Sequence, residues 1–263
     1  MSKRLLIGSR AIYTHFHDFP RGQWGSDWDY ISQNMVRQSK EQDIHYSPAF
    51  EWVFEHYPDR LIPPPDVLYT IKCSHATWDI HWEKTMSDIG FLQTKGCKII
   101  DEFYSLLYKD WENIHGAKKV NLNVPNEEFF TSKVYRKYDH DWLHSQMMYY
   151  DQPMYDKLKI DKSRAWIEKK LFDNLSKSDK IRTVKEEACV VALERTMIPS
   201  AYTASPVVAY RRALKSLITS MTKGWFPRFI IENWNDIKTL EDCDKYLAFI
   251  KNRREENDRE RTE

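Results

Sequence analysis

The stretch LLIGSRAIYTHFHDFPRGQWGSDWDYI, Leu5 to Ile31, decides how this chain is read. A short apolar run, Leu5 to Ile7, ends in Gly8 and Ser9. Further on come Ser26, Asp27, Trp28 and Asp29, followed by Tyr30 and Ile31. Acids one residue apart on a strand project to the same face. There they repel each other unless a cation lies between them. The pattern therefore predicts either a cation site or a turn at Gly25 in which both acids serve as capping residues.

The chain has 263 residues, room for one large domain or two small ones. Lys and Arg total 40 and Asp and Glu 39, a net charge of +1, so any surface for a polyanion must be a local patch. No apolar run approaches a membrane span, which excludes an integral helical membrane protein on this pattern. The start, MSKRLLIGSRA, is too briefly apolar for a signal peptide. Cys73, Cys97, Cys189 and Cys243 are widely spaced with no CxxC pair, which disfavours a zinc site and suits reduced thiols. The expectation is a soluble protein of the cytoplasm.

The pattern predicts a strand over Arg4–Ser9, a short helix or loop, a second strand over Asp27–Ser32, and a third across Asp43–Tyr46. Pro63, Pro64 and Pro65 break the chain. Asp66 then opens a helical pattern through Val67, Leu68, Ile71, His75 and Trp78, with a second phase ending near Gly96. Further helices are expected over CKIIDEFYSLLYKDWENIHG, over NEEFFTSKVYRKYDHDWLHSQMM, over SRAWIEKKLFDNLS, over TVKEEACVVALERTMI and over SPVVAYRRALKSLITSMTKG. The fold class is α+β: a small mixed sheet over residues 1–65, then a mainly helical region over 66–263 that covers a cleft.

The Leu5–Ile31 stretch resembles the DNA polymerase β-like nucleotidyltransferase superfamily. That family carries an apolar strand ending in Gly-Ser, a short helix, often an Arg-Gly, and Ser-Asp-x-Asp on the next strand. Here these are Leu5 to Ser9, Arg21-Gly22, and Ser26 to Asp29. The separation from Ser9 to Asp27 is longer than in small members. The chain also resembles nucleotidyltransferase chains of tailed phages that carry a helix of the type Lys72-Cys73-Ser74-His75. The resemblance implies an enzyme that uses Mg²⁺, or Mn²⁺, to move a nucleoside monophosphate from an NTP to an acceptor hydroxyl. Asp27 and Asp29 would bind the metal, since Mg²⁺ takes oxygen ligands. A third carboxylate from a neighbouring strand would help activate the acceptor; Asp43 fits, with Glu51 second. Gly8 and Ser9 would hold the phosphates, with Arg10 beside them.

Three other clusters carry competing readings. Lys72 and His75 lie three apart and share a helix face; they could grip the triphosphate, or be a snorkelling lysine and a core histidine. Asp139, His140, Asp141 and His144 could form a metal-binding helix face, as in HD-type phosphohydrolases, with His75 and Asp161 or Asp173 completing it; or they line the cleft, or form a plain polar face. Arg211, Arg212, Lys215, Lys223 and Arg228, near Trp225, could bind a nucleic-acid acceptor such as RNA, or be a solvated face. Two alternatives to nucleotidyl transfer thus stand: a metal-dependent phosphohydrolase, and a non-catalytic nucleotide- or nucleic-acid-binding protein.

Overall fold

The computed structural model describes residues 3–21, 27–34, 42–77, 81–115, 172–196, 206–220, 225–239 and 259. The chain divides into two compact units, residues 1–119 and 120–263. The first is α+β and the second, over its described residues, is helical.

In the first unit, β1 (Arg4–Ile7) runs directly into α1 (Gly8–His15). The strand is shorter than Arg4–Ser9 because Gly8 takes φ 70°, a left-handed conformation open to glycine, and the chain turns there into the helix. β2 is Trp28–Ser32 and β3 is Gln42–His45. The sheet order is β1-β2-β3, with β1 and β2 antiparallel and β2 and β3 parallel. Leu5, Ile7 and Ile31 are buried on one face, against the α1 side chains Ala11 and Ile12.

Beyond β3 the chain coils into a 3₁₀ turn (Pro48–Phe50) and α2 (Glu51–His56). The Ser47 hydroxyl accepts from Ala49 N at 3.1 Å and itself donates to the Asp110 carboxylate. The proline segment is tied back to the sheet: Leu6 N donates to Leu61 O at 2.9 Å, and the His15 ring bonds Pro63 O at 2.8 Å. Pro65 then occupies the first turn of α3 (Pro65–His75), where a missing N–H costs nothing. Residues 76–77 leave the helix, His81 is left-handed at φ 54°, and α4 (Trp82–Thr94) begins there. Gly96, at φ 76°, ends that stretch, and α5 (Asp101–His115) follows.

The expected boundary at residue 65 joins the sheet to helices that pack with it. α3 contacts α1, α4 and α5, and α5 contacts the 3₁₀ turn, so the compact unit extends to residue 119. The segment after α1 clamps onto α4. Phe16 and Phe19 lie 6.0 and 5.0 Å from the Phe91 ring, and Lys95 Nζ is 2.5 Å from the Asp18 carboxylate.

The second unit contains α6 (Lys177–Thr196), α7 (Pro206–Ser220), α8 (Trp225–Glu232) and α9 (Trp234–Ile237). Ser176 caps α6, accepting from Asp179 N at 3.1 Å. α6 packs along α7 through Val184, Ala188, Cys189, Ala192, Ala213, Leu214 and Leu217, and the buried Tyr210 hydroxyl donates to Ile237 O at 2.7 Å. Phe172 sits among Trp225, Phe226 and Phe229. Phe226, Pro227, Ile230, Ile231 and Trp234 are buried here.

Candidate functional site

The site is built from the end of β1, the start of α1 and two parallel strands. Ile7 pairs with Asp29 across β1 and β2, which brings Gly8 beneath the Asp29 side chain. A Cβ on Gly8 would overlap the Asp29 carboxylate and lie 2.9 Å from its Cγ. A side chain here would have to displace the Asp29 carboxylate, and the positive φ favours glycine independently. Ser9 is buried beside it.

Asp29 and Asp43 are register partners on β2 and β3, so their side chains lie side by side on one face. Asp27 precedes β2 by one residue and is exposed. His45, two residues after Asp43 and therefore on the same face, places Nε2 4.0 Å from Asp29 Oδ1. The Glu51 carboxylate starts α2 and is not part of the sheet. Arg10 stacks its guanidinium 4.2 Å above the Trp28 ring, and Trp28 lies parallel to Tyr30.

Lys72 and His75 share one face of the last turn of α3, where the Lys72 charge also complements the helix dipole. Packing around the half-buried His75 ring pushes its pKa down to about 3. The Lys72 and His45 charges push the same way, and Asp29 opposes them. His75 is therefore a neutral imidazole at ordinary pH, and these couplings put it close to Asp29 and His45. Lys72 Nζ is 3.0 Å from Asp88 Oδ2, a close ion pair rather than an aligned hydrogen bond. Arg21 Nη2 donates to Asp88 Oδ1 from the other side. Asp88 itself is fully buried on α4.

The fold thus brings together Gly8, Ser9, Asp29 and Asp43, with Asp27 at their edge, and couples His75 to Asp29, while Lys72 pairs with Asp88. Arg211 and Arg212 are exposed on α7 in the second unit. Of the residues read with them, Lys215 is half-buried, Arg228 is bonded to Glu232 at 2.9 Å, and Trp225 packs 4.6 Å from Phe172. Asp139, His140, Asp141, His144, Asp161 and Lys223 lie outside the described residues. Asp173 is exposed. Among the described residues, no three His, Cys, Asp or Glu side chains converge as a ready-made metal cage, and no helix is long and apolar enough to cross a membrane.

Sequence reasoning missed His45, Asp88 and the role of Arg21. His45 has the period-2 relation to Asp43 as its signal. Asp88 has another: it is an acid among Thr85, Met86, Ile89 and Leu92, the buried positions of an otherwise apolar helix face.

No curated protein and no solved structure matches the chain. A family model described as a domain of unknown function, DUF7275, matches residues 67–251. The match begins inside α3, so it includes Lys72, His75 and Asp88, whereas Gly8, Asp29 and Asp43 precede it. With most of its length so matched, the chain belongs to the DUF7275 family.

Proposed function

We propose that the protein is a metal-dependent nucleotidyltransferase that moves a nucleoside monophosphate from an NTP to an acceptor hydroxyl. The observation that carries this reading is the set Gly8, Asp29 and Asp43. Two carboxylates sit side by side on parallel strands, over a glycine that opens a helix. The adjacent charges are unfavourable without a counter-ion. Their hard oxygen donors suit Mg²⁺ or Mn²⁺, and the Gly8 approach leaves no side chain between backbone and ligand.

Asp27 and Asp29 hold the divalent ion, which when bound neutralises the triphosphate and polarises the reacting phosphoryl group. Asp43 accepts the proton of the acceptor hydroxyl or orients it. The α1 amino terminus, with Gly8, Ser9 and Arg10, faces phosphate with backbone N–H groups, a hydroxyl and a guanidinium. His75, held neutral, offers a hydrogen bond without adding charge. Lys72 supplies a cation from α3. Arg211 and Arg212 form a basic face suited to a polyanionic acceptor such as RNA.

The test is incubation of the full chain with labelled NTP, Mg²⁺ or Mn²⁺, and pooled RNA, protein and metabolites. Label moves to one pool in the wild type. Asp27→Asn and Asp29→Asn each reduce transfer by about a hundredfold or more, the scale of losing transition-state charge stabilisation. Full transfer in both variants would refute the assignment.

A further inference from the structure

Asp88 is 0% exposed, and a buried carboxylate is costly unless paired. It is paired twice, by Arg21 on one oxygen and Lys72 on the other. One acid neutralises one base, so the trio carries a net single positive charge. The exposure is graded: the Arg21 side chain is 30% exposed and Lys72 15%, with the acid behind them. No other acid faces either cation among the described residues. Arg21 Nε is buried with no hydrogen-bond partner there. The Arg21 guanidinium lies over the Phe19 ring, 5.5 Å from its centroid, and Phe19 is itself packed on Phe91, which backs the guanidinium with fixed aromatic surface. A second cation on one buried acid carries its own desolvation cost and leaves the trio with a positive surplus. It also gives a surplus of directed donors, the arrangement that binds phosphate oxygens.

We infer that Arg21 and Lys72 form a polyphosphate subsite and that Asp88 is its positioning residue, holding both cations toward the bound anion. The identification of that anion as the NTP triphosphate rests on the function proposed above. The anion site itself does not, because it is defined by the two cations and their buried acid.

The probe is inorganic tripolyphosphate, titrated calorimetrically into the full chain without nucleotide. Arg21→Gln and Lys72→Gln each leave Asp88 in a one-to-one pair, and circular dichroism and thermal unfolding first establish that each variant keeps the fold. Each weakens tripolyphosphate binding about tenfold or more, the scale of one charge-assisted hydrogen bond. Asp88→Asn separates positioning from simple charge. Removing the acid raises the local positive charge, so a merely neutralising Asp88 predicts tighter binding. Positioning predicts weaker binding, partly restored in Asp88→Glu. Unchanged affinity in Arg21→Gln and Lys72→Gln, or tighter binding in a folded Asp88→Asn, would overturn the inference. If Asp88→Asn does not fold, the two cation variants decide it alone. The two failures are distinguishable: tripolyphosphate binding without nucleotidyl transfer sinks the proposed activity and leaves this subsite standing. Transfer with unaltered tripolyphosphate binding in the cation variants does the reverse.

Discussion

Gly8 carries two demands at once, a left-handed backbone and contact with Asp29, and both favour glycine. Gly8→Ala should therefore lower stability by about 1–3 kcal/mol, combining backbone strain with steric displacement of the Asp29 carboxylate. Denaturant unfolding checks this, and an unchanged midpoint would contradict it. His75 makes the other residue-scale prediction. Its folded pKa of about 3 lies below the ordinary 6.5, so the unfolded chain takes up a proton that the folded chain refuses. The resulting stability is present above the unfolded value and is lost as pH falls from there toward about 3. His75→Gln should flatten the fall in unfolding free energy over that window. NMR should show no His75 ring titration between about pH 7 and about pH 4, and a midpoint near the reference value would contradict the burial argument. Gly8 and Asp29 were legible as residues, because glycine after an apolar run and acids at period 2 are local signals. Asp88 was legible only as an acid on the inward face of its helix; its pairing was not, because the partners Arg21 and Lys72 are distant in sequence.

At the scale of elements, the parallel pairing of β2 and β3 sets Asp29 against Asp43. A slip of one residue would send Asp43 to the opposite face. Like charges directly opposite on a sheet cost roughly 0.2–1 kcal/mol, so Asp43→Asn should stabilise the metal-free protein by about that amount. Added Mg²⁺ should raise the melting temperature of the wild type more than that of Asp29→Asn. Equal shifts would remove Asp29 from the cation site. β2 and β3 were readable from alternation, and α3 from Pro65 and Asp66. The entry of α1 at Gly8 was not, since an apolar strand continuing through Ser9 and a strand that turns at Gly8 share one pattern. The 3₁₀ turn and α2 were missed because Phe50, Trp52, Val53 and Phe54 present a short apolar run. Its burial against later helices, with Trp52 stacked 5.1 Å from Phe103, depends on tertiary partners.

For the whole molecule, the sheet and α1 to α5 form one compact unit, although the family match begins at residue 67. Residues 1–119 expressed alone should unfold in one cooperative transition. A chain beginning at residue 66 should lose the α1 surface that covers α3 and should expose Val67, Leu68 and Ile71, detectable as dye binding and aggregation. Native-like behaviour of the second fragment would show that the proline connection, not residue 119, is the true boundary. The α+β class was legible because the proline triplet separates two kinds of periodicity. The unit boundary was not, because packing of α3 on α1 leaves no local mark. At this same scale, Arg211→Ala combined with Arg212→Ala should leave NTP binding unchanged and weaken only a nucleic-acid acceptor, with a shallower salt dependence. The measurement that tests nucleotidyl transfer most directly places the label at two positions of the same NTP. In transfer, the acceptor oxygen bonds to the α-phosphorus, the α–β bridge breaks and pyrophosphate leaves. With Mg²⁺ or Mn²⁺ and the acceptor pools, α-phosphorus label should enter an acceptor and γ-phosphorus label should leave as pyrophosphate, both abolished in Asp29→Asn. Capture of the γ label by the acceptor, or equal α-label transfer by Asp29→Asn, would contradict it.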